Sequence, residues 1–435
     1  MSKFLYIIFL KLYALGFRIA YLFNSKAKAG IDGRKHIFSA IKKQLKREDS
    51  GDNPELVWMH CASLGEFEQG RPVLENLKQS HPKIKILLTF FSASGYDAMK
   101  KYEGAHYVFY LPFDGKKNAK KFINLINPTL VLWVKYEYWF YYLEELKRRN
   151  IPVLLISGIF REGQPFFKWY GNMWKKMLGC FTQFFVQNEQ SKQLLSSVGT
   201  HKNVLVNGDT RFDRVIDIVE KFEPIPLVEK FCGNYEVIVA GSTWEDDEAG
   251  LAHYMHANPD IRFVIAPHEI DEESLADVRK EFPGCIFFSE LTGKNIERLA
   301  LGEHIAEEEN ILHNVLIIDN IGMLSRLYHY ATITFVGGAF GAEGVHNVLE
   351  AAVYGKPVIY GPEFEKYIEA VDLVACGGAI TVENTLHLEK VLNELFEDKE
   401  QIIRRGKIAR NFVYAHKGAS KKIIQFIQEN RLLTN

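Results

Sequence analysis

Phe335-Val-Gly-Gly-Ala-Phe-Gly-Ala-Glu-Gly-Val-His-Asn-Val-Leu-Glu350, running on through Ala351-Ala-Val-Tyr-Gly-Lys-Pro-Val-Ile-Tyr-Gly-Pro362, is the stretch whose reading decides the fold. It opens in a β-rich run, Ala331 to Val336, that stops at Gly337-Gly338, where the missing Cβ lets another molecule approach the backbone. Gly341 and Gly344 keep the loop lean. Val345 to Glu350 then starts a helix with Asn347 as N-cap. The free N–H groups and positive end of that helix point back at the glycines and make an anion site. Glu350, three residues beyond Asn347, shares its face and can accept hydrogen bonds from a sugar diol. Gly355-Lys356-Pro357 closes the helix and Val358 to Tyr360 reads as the next buried strand. The glycines alone fit an ordinary βαβ crossover equally well. His346, Asn347 and Glu350 on the same junction move the reading to a nucleotide site.

Working outward, the same alternation fills the chain. Leu56–His60, Ile84–Thr89, Tyr107–Leu111, Leu130–Val134, Val153–Ile156 and Phe184–Val186 read as strands separated by helical stretches, among them Phe67–Gln79, with Pro72 in its first turns. A second series follows: Val237–Ala240, Phe263–Ala266, Ile286–Phe288, Val315–Ile318, Thr332–Val336 and Val358–Tyr360. Strands alternating with helices argue parallel, doubly wound sheets. The expected fold class is α/β, two Rossmann-like domains in tandem with an N-terminal membrane-associated helix. The expected boundaries are a basic apolar segment 1–50, a first Rossmann-like domain 51–214, a linker 215–234 around Glu223-Pro-Ile-Pro226, a second Rossmann-like domain 235–400, and a C-terminal helix 401–435 long enough to cross back to the first domain. Ligands of such sheets bind at the carboxyl ends of their strands, in a cleft between the two domains.

The 435 residues carry a net charge of −1, so no general attraction to nucleic acid is expected. Five scattered cysteines (Cys61, Cys180, Cys232, Cys285, Cys376), none in a CxxC pair, argue against a disulfide framework or a zinc site. The N-terminus departs from this average. Phe4 to Phe23 is apolar and aromatic, interrupted by Lys11 and Arg18 on one helical face. From Met1 to Arg47 the basic residues run Lys3, Lys11, Arg18, Lys26, Lys28, Arg34, Lys35, Lys42, Lys43, Lys46 and Arg47 against one acid, Asp32. A cation in mid-segment disfavours a clean membrane span and favours a helix lying in the surface of an anionic leaflet. The competing reading is an amphipathic helix packed on the first domain. No cleavage site for a signal peptide is evident.

Several loops carry candidate chemistry. Ser63-Leu-Gly-Glu66 ends the first strand, placing Glu66 as a general base or as a first-turn acid stabilising its helix. Trp133-Val-Lys-Tyr-Glu137-Tyr-Trp139 puts Glu137 at another strand end. Asn207-Gly-Asp-Thr-Arg211-Phe-Asp213 offers Arg211 as a carboxylate clamp, or as a bridge between domains through Asp213. In the second domain, Ser242 with Glu245 or Thr243 with Asp246 forms a capping box suited to phosphate. Asp246-Asp247 reads as a helix start, with no metal and no cofactor expected. Pro267-His268 ends a strand, and Ile321-Gly322-Met323 sits at a further turn, after Asp319.

These residues resemble the 3-deoxy-D-manno-octulosonic acid (Kdo) transferases, the family 30 glycosyltransferases with the two-domain GT-B fold. The resemblance covers nearly the whole chain and rests on His60-x-x-Ser63-Leu-Gly-Glu66, Tyr136-Glu137-Tyr-Trp139, Gln187-Asn188-Glu189, Gly208-x-x-Arg211-Phe-Asp213, Ser242-Thr243-x-Glu245 and Phe335-Val-Gly-Gly…His346-Asn347-x-x-Glu350-Ala-Ala. It implies transfer of Kdo from CMP-Kdo to a lipid A precursor, lipid IVA, at the cytoplasmic face of the inner membrane. It implies Glu66 as catalytic base and Glu137 and Arg211 as stabilisers of the transition state. It implies CMP binding by Pro267, His268, Ile321, Gly322, Met323, Asn347, Val348, Leu349 and Glu350, beside Ser242, Thr243, Gly337, Gly338 and His346. The chain departs from the family pattern at His268, where an arginine is usual, at Arg211, where a lysine is usual, and at Gly344-Val345, where two glycines are usual. Two alternatives stand beside it: a GT-B transferase using another nucleotide sugar on a membrane lipid, and a non-catalytic nucleotide-sugar-binding membrane protein, which would not need Glu66.

Overall fold

A computed structural model of the chain describes residues 3–46, 55–200, 202–291 and 314–433; Arg47 of the basic segment and the expected join near residue 50 lie outside them. The chain divides into two compact units, Met1–Arg214 with Gly418–Asn435, and Val215–Lys417. Residues 215–234, expected as linker, hold the end of a helix Thr210–Glu220 and a second helix Pro226–Cys232.

The first unit is built on seven parallel strands: β1 (Leu56–Cys61), β2 (Lys85–Phe90), β3 (Tyr107–Tyr110), β4 (Leu130–Val134), β5 (Val153–Gly158), β6 (Gln183–Val186) and β7 (Val204–Val206). Their order across the sheet is β3-β2-β1-β4-β5-β6-β7. The sequence steps outward from β1 to one edge, returns to β4 and steps to the other, so the order reverses between β1 and β4. That is where a doubly wound sheet opens a crevice at its carboxyl end. Every residue of β1 and β4 is buried, as a parallel sheet covered on both faces requires. The β7 edge was missed by the sequence reading because three residues are too few to display a period.

Three helices precede β1: α1 (Lys3–Ala20), α2 (Ser25–Asp32), turned 118° from it, and α3 (Ile37–Lys46). Among the described residues no single helix is long and apolar enough to cross a membrane; α1 and α2 meet that measure only as a bent pair. One face of α1 packs on the first unit. Tyr6 is buried there and donates from its hydroxyl to Asp114 Oδ2 at 2.7 Å, and Leu10, Tyr13 and Phe17 follow along the same face. The opposite face leaves Phe4, Leu12 and Ile19 at 69%, 62% and 55% exposure. Arg34 corrects the basic-segment reading. It is buried, with Nε, Nη1 and Nη2 donating to the carbonyls of Leu111, Gly30 and Phe91, and its guanidinium lies over the rings of Phe91, Tyr110 and Phe113. Burial lowers its pKa to about 10. This cation ties α2 to the domain and is not available to a lipid surface.

After β1, α4 (Leu64–Ser80) begins earlier than the expected Phe67, because Ser63 caps it by accepting from the Glu66 N–H. Pro72 consequently lies in its interior, where it forfeits one helical hydrogen bond. The expected single C-terminal helix is two, Lys399–Ala415 in the second unit and Ala419–Glu429 in the first. The break is at Gly418, whose φ of +102° a longer side chain resists. Asp213 caps the new start by accepting from the Gly418 and Ser420 N–H groups at 2.5 and 2.6 Å. Ile423, Ile424 and Ile427 then pack into the same cluster as Val73, Leu74 and Leu77 of α4.

The second unit repeats the plan with β8 (Glu236–Thr243), β9 (Ile261–Pro267), β10 (Ile286–Phe287), β11 (Val315–Ile317), β12 (Ile333–Val336), β13 (Val358–Tyr360) and β14 (Ala379–Thr381), in the order β10-β11-β9-β8-β12-β13-β14. All pairs are parallel, and the order reverses between β8 and β12. The quoted glycine stretch leaves β12 at that reversal. β14 was missed for the same reason as β7.

Candidate active site

In the first unit the site is assembled at the carboxyl ends of β1, β4 and β7. Glu66, in the first turn of α4, is 7% exposed and accepts a short hydrogen bond at Oε2 from the Ala62 N–H. Burial lifts its pKa to about 7; bonds from Ala62 and Tyr136 N–H groups and the charge of Lys135 pull the other way, while nearby Glu137 adds to the rise. Glu137 follows β4 and is held at one oxygen, Oε2, by His60 Nε2 and Trp139 Nε1, each at 3.0 Å. His60 Nδ1 meets Thr89 Oγ1 at 2.9 Å, and Trp58 Nε1 donates to that hydroxyl at 2.8 Å. A proton arrangement that satisfies every member runs Trp58 to Thr89 to His60 Nδ1, with His60 Nε2–H donating to Glu137, which as a carboxylate can only accept. Sequence reasoning missed this relay, although two of its members, His60 and Glu137, stand in the quoted motifs.

Arg211 follows β7. Its Nε and Nη2 reach Asp209 Oδ2 at 2.9 and 2.7 Å, and its backbone N–H reaches Asp209 Oδ1 at 2.9 Å. Burial works against ionisation of Asp209, but Arg211 and Lys135 hold its pKa below the usual carboxylate value. Bridging through Asp213 is overturned, since that carboxylate is spent on the helix start at Gly418. Lys135, between β4 and Glu137, has a left-handed φ of +59° and was also missed. Its Nζ and Arg211 Nε each lie 3.1 Å from the Gln69 amide oxygen in the orientation that satisfies that amide. Glu66, Glu137, Lys135 and Arg211 thus give one sheet end two carboxylates and two cations.

In the second unit Gly337 and Gly338 lie against the end of β8. A Cβ on Gly337 would stand 2.4 Å from the Ser242 carbonyl oxygen and 2.7 Å from Thr243 Cα; Gly338 has φ +92°. Neither expected capping box forms. Thr243 Oγ1 donates to Glu248 Oε1 at 2.8 Å. The acid that ties the junction is Asp247, fully buried, whose Oδ2 accepts from the Trp244 and Gly338 N–H groups at 2.9 and 2.7 Å. Burial raises its pKa to about 6 against those bonds. Asp247 is therefore a brace under the glycine loop rather than a plain helix-start acid.

Asn347 does cap the following helix, accepting from the Leu349 N–H at 3.3 Å, and its Nδ2 donates to Glu350 Oε1 at 2.9 Å. That helix, Val348–Ala352, is only five residues long, so its dipole is weaker than the sequence reading assumed. Val348 and Leu349 are buried, which leaves their backbones rather than their side chains for any ligand. Pro267 ends β9 and His268 follows; its imidazole is the middle ring of a stack, 4.7 Å from Trp244 and 4.5 Å from His346. Trp244 Nε1 donates to His346 Nε2 at 3.0 Å, and burial, with His268 nearby, lowers the His346 pKa to about 4, so this ring is neutral at ordinary pH. An aromatic ledge stands where a guanidinium was usual. Ile321, 86% exposed, and Gly322, at φ +95°, form a loop tip beside buried Met323.

Two tandem doubly wound units, each with seven parallel strands and interleaved helices, define the GT-B class of fold. Solved structures of the same architecture include the UDP-GlcNAc 2-epimerase of Neisseria meningitidis bound to UDP-GlcNAc, 20% identical with TM-score 0.60 over 86% of this chain and all of that one, and a putative UDP-N-acetylglucosamine 2-epimerase from Listeria monocytogenes, 14% identical with TM-score 0.60 over 88% of this chain and 98% of that one. Within that class, residues 35–214 match the family described as 3-deoxy-D-manno-octulosonic-acid transferase (kdotransferase). The chain is 26% identical over 84% of its length to the 3-deoxy-D-manno-octulosonic acid transferase of Aquifex aeolicus, covering 93% of that protein, and 24% identical over 86% of its length to the one of Haemophilus influenzae, covering 87%. It is also 26% identical over 90% of its length to a bifunctional glycosyltransferase/methyltransferase of Fusobacterium nucleatum, of which it spans 58%. The chain is thus similar over most of its length to proteins named as Kdo transferases, a naming that supports glycosyltransferase activity.

Proposed function

We propose that the protein is an inverting glycosyltransferase that moves Kdo from CMP-Kdo to a lipid A precursor, lipid IVA, in lipopolysaccharide synthesis at the cytoplasmic face of an inner membrane. The observation that carries the reading is Glu66, a buried carboxyl at a strand end whose pKa of about 7 matches the working pH of a general base. Its carboxylate takes the proton of the acceptor hydroxyl. The freed oxygen pair forms the bond to the anomeric carbon as the bond to the CMP phosphate breaks, and CMP leaves with the electron pair. Attack opposite the leaving group inverts the centre and passes through an oxocarbenium-like state. Glu137, fixed by His60 and Trp139, faces that positive charge, and Arg211 on its Asp209 support meets the Kdo carboxylate. Ser242, Thr243, Gly337, Gly338 and Asn347 receive the single phosphate and Glu350 the ribose, with Pro267, His268, His346 and the Ile321–Met323 turn around the base. One phosphate needs little neutralisation, so neither metal nor cofactor enters. The exposed apolar face of α1, with Lys11 and Arg18, rests on the anionic leaflet.

The test is to incubate the protein with CMP-Kdo and tetra-acylated lipid A precursor and weigh the product. Growth of the lipid by whole Kdo units supports the reading; growth only with a UDP-sugar replaces it by another GT-B transfer, and no growth with any donor leaves a nucleotide-sugar-binding protein.

A further inference from the structure

We propose that the pocket between α1 and α2 is a subsite for one fatty acyl chain of the lipid acceptor. This rests on the reading above that the acceptor is a lipid. The pocket holds about 530 Å³, within the roughly 300–1,000 Å³ of small-ligand sites. Its walls are Tyr13, Phe17 and Ala20 of α1, Ala27 and Gly30 of α2, and Phe91 after β2. The charged residue in its lining is Lys26.

Charge and polarity identify the occupant. The pocket interior is apolar, while Lys11, Arg18, Lys26 and Lys28 stand exposed on the two helices that form it. An apolar slot with a cationic surround suits an anionic amphiphile. A peptide segment would strand its backbone N–H and C=O groups against those rings. The exposed row of Leu12, Leu15 and Ile19 gives a chain an apolar path along α1.

Two residues of the pocket wall, Phe91 and Ser92, connect to the groups proposed for catalysis. The Phe91 and Ser92 N–H groups donate to the carbonyls of Cys61 and Ala62, at 3.3 and 2.8 Å, and the Ala62 N–H holds Glu66. The Phe91 ring stacks on Trp139 with centroids 5.1 Å apart, and Trp139 Nε1 holds Glu137. A chain seated on Phe91 therefore brings its sugar headgroup to the side of the sheet that carries the base.

Gly16 supplies the test. It lines the pocket, and a Cβ placed there meets no atom within 4 Å, so a larger side chain starts into open space. Replacing a helical glycine also costs the helix nothing. A fluorescent polyene fatty acid, kept below its micellar concentration, is titrated into the full chain, and transfer is measured on acylated and de-acylated acceptor. Wild type should bind the probe saturably. Gly16→Phe should weaken that binding on the order of tenfold or more, since each excluded methylene forfeits about fourfold, and should raise KM for the acylated acceptor relative to the de-acylated one. Ala20→Trp is the second blocking variant should Gly16→Phe not fold by circular dichroism. Probe binding absent from wild type, or unchanged in a folded blocking variant, overturns the subsite. Blocked probe binding without glycosyl transfer by wild type leaves the subsite standing and removes the transferase reading.

Discussion

Glu66 is costly to keep. Its pKa is raised from 4.5 to about 7, so the folded state binds more protons than the unfolded one between those values. The stability this group contributes is complete below about pH 4.5 and is lost as pH rises through about 7. In the proposed role activity has the opposite sign, because a general base works as carboxylate: kcat/KM should climb between pH 6 and 8 with a midpoint near 7. Chemical denaturation at pH 8 should find Glu66→Gln more stable than wild type by roughly 1 kcal/mol or more; equal or lower stability would mean that the carboxylate is not strained by burial. His60 acts one step away. His60→Ala frees Glu137 from one of its two side-chain donors and should lower kcat about tenfold or more with CMP affinity kept, as read by calorimetry beside steady-state kinetics. Glu66 was legible in the sequence because a strand-to-turn junction put it there. Its shifted pKa and the Trp58–Thr89–His60–Glu137 relay were not, because they depend on which strands become neighbours.

The glycine junction shows what an element adds to its residues. Gly337 and Gly338 were read as leaving room for another molecule; in the structure the neighbours that crowd them belong to the chain itself, the end of β8 at Gly337 and Gly344 with His346 at Gly338. Gly337→Ala would press on the Ser242 carbonyl and Thr243 Cα, both backbone atoms that cannot swing away. We expect it to weaken CMP binding and to lower the melting temperature. Asp247→Ala leaves the buried Gly338 N–H and the half-buried Trp244 N–H without their acceptor, a loss of about 1–3 kcal/mol. Its CMP affinity should fall about tenfold while Glu66 is untouched; calorimetry showing wild-type affinity and stability would remove Asp247 as a brace. The same scale explains the misread boundaries. The expected α4 start slipped by three residues because Ser63 was read as turn and not as cap. The final helix was read as one because nothing in residues 401–428 announces that Asp213, some two hundred positions earlier, will cap a new start at Gly418.

At the scale of the whole molecule, the two doubly wound units were legible because strand and helix periods alternate through both. The N-terminal segment was legible only in part. Its apolar and basic character was plain, but which cations stay outside was not: Lys11 and Arg18 do, whereas Arg34 is enclosed by three rings and three carbonyls. Deleting residues 1–24 would remove Tyr6 from buried Asp114, so truncation would confuse docking with folding. Leu12→Gln with Ile19→Gln changes only the exposed face. This pair should keep the circular dichroism spectrum and CMP affinity of wild type, float less with anionic vesicles, and raise the apparent KM for vesicle-borne acceptor. Undiminished flotation would take the membrane contact away from α1.

The central claim is that this chain transfers Kdo with Glu66 as base. The most direct measurement is the turnover of CMP-Kdo and lipid A precursor by wild type and by Glu66→Gln, with CMP affinity determined on the same preparations. The account predicts that wild type forms Kdo-lipid product and that Glu66→Gln loses about 10²-fold or more in kcat at unchanged CMP affinity, since a positioned base supplies about 10²–10⁴-fold. A Glu66→Gln protein turning over at the wild-type rate would contradict it.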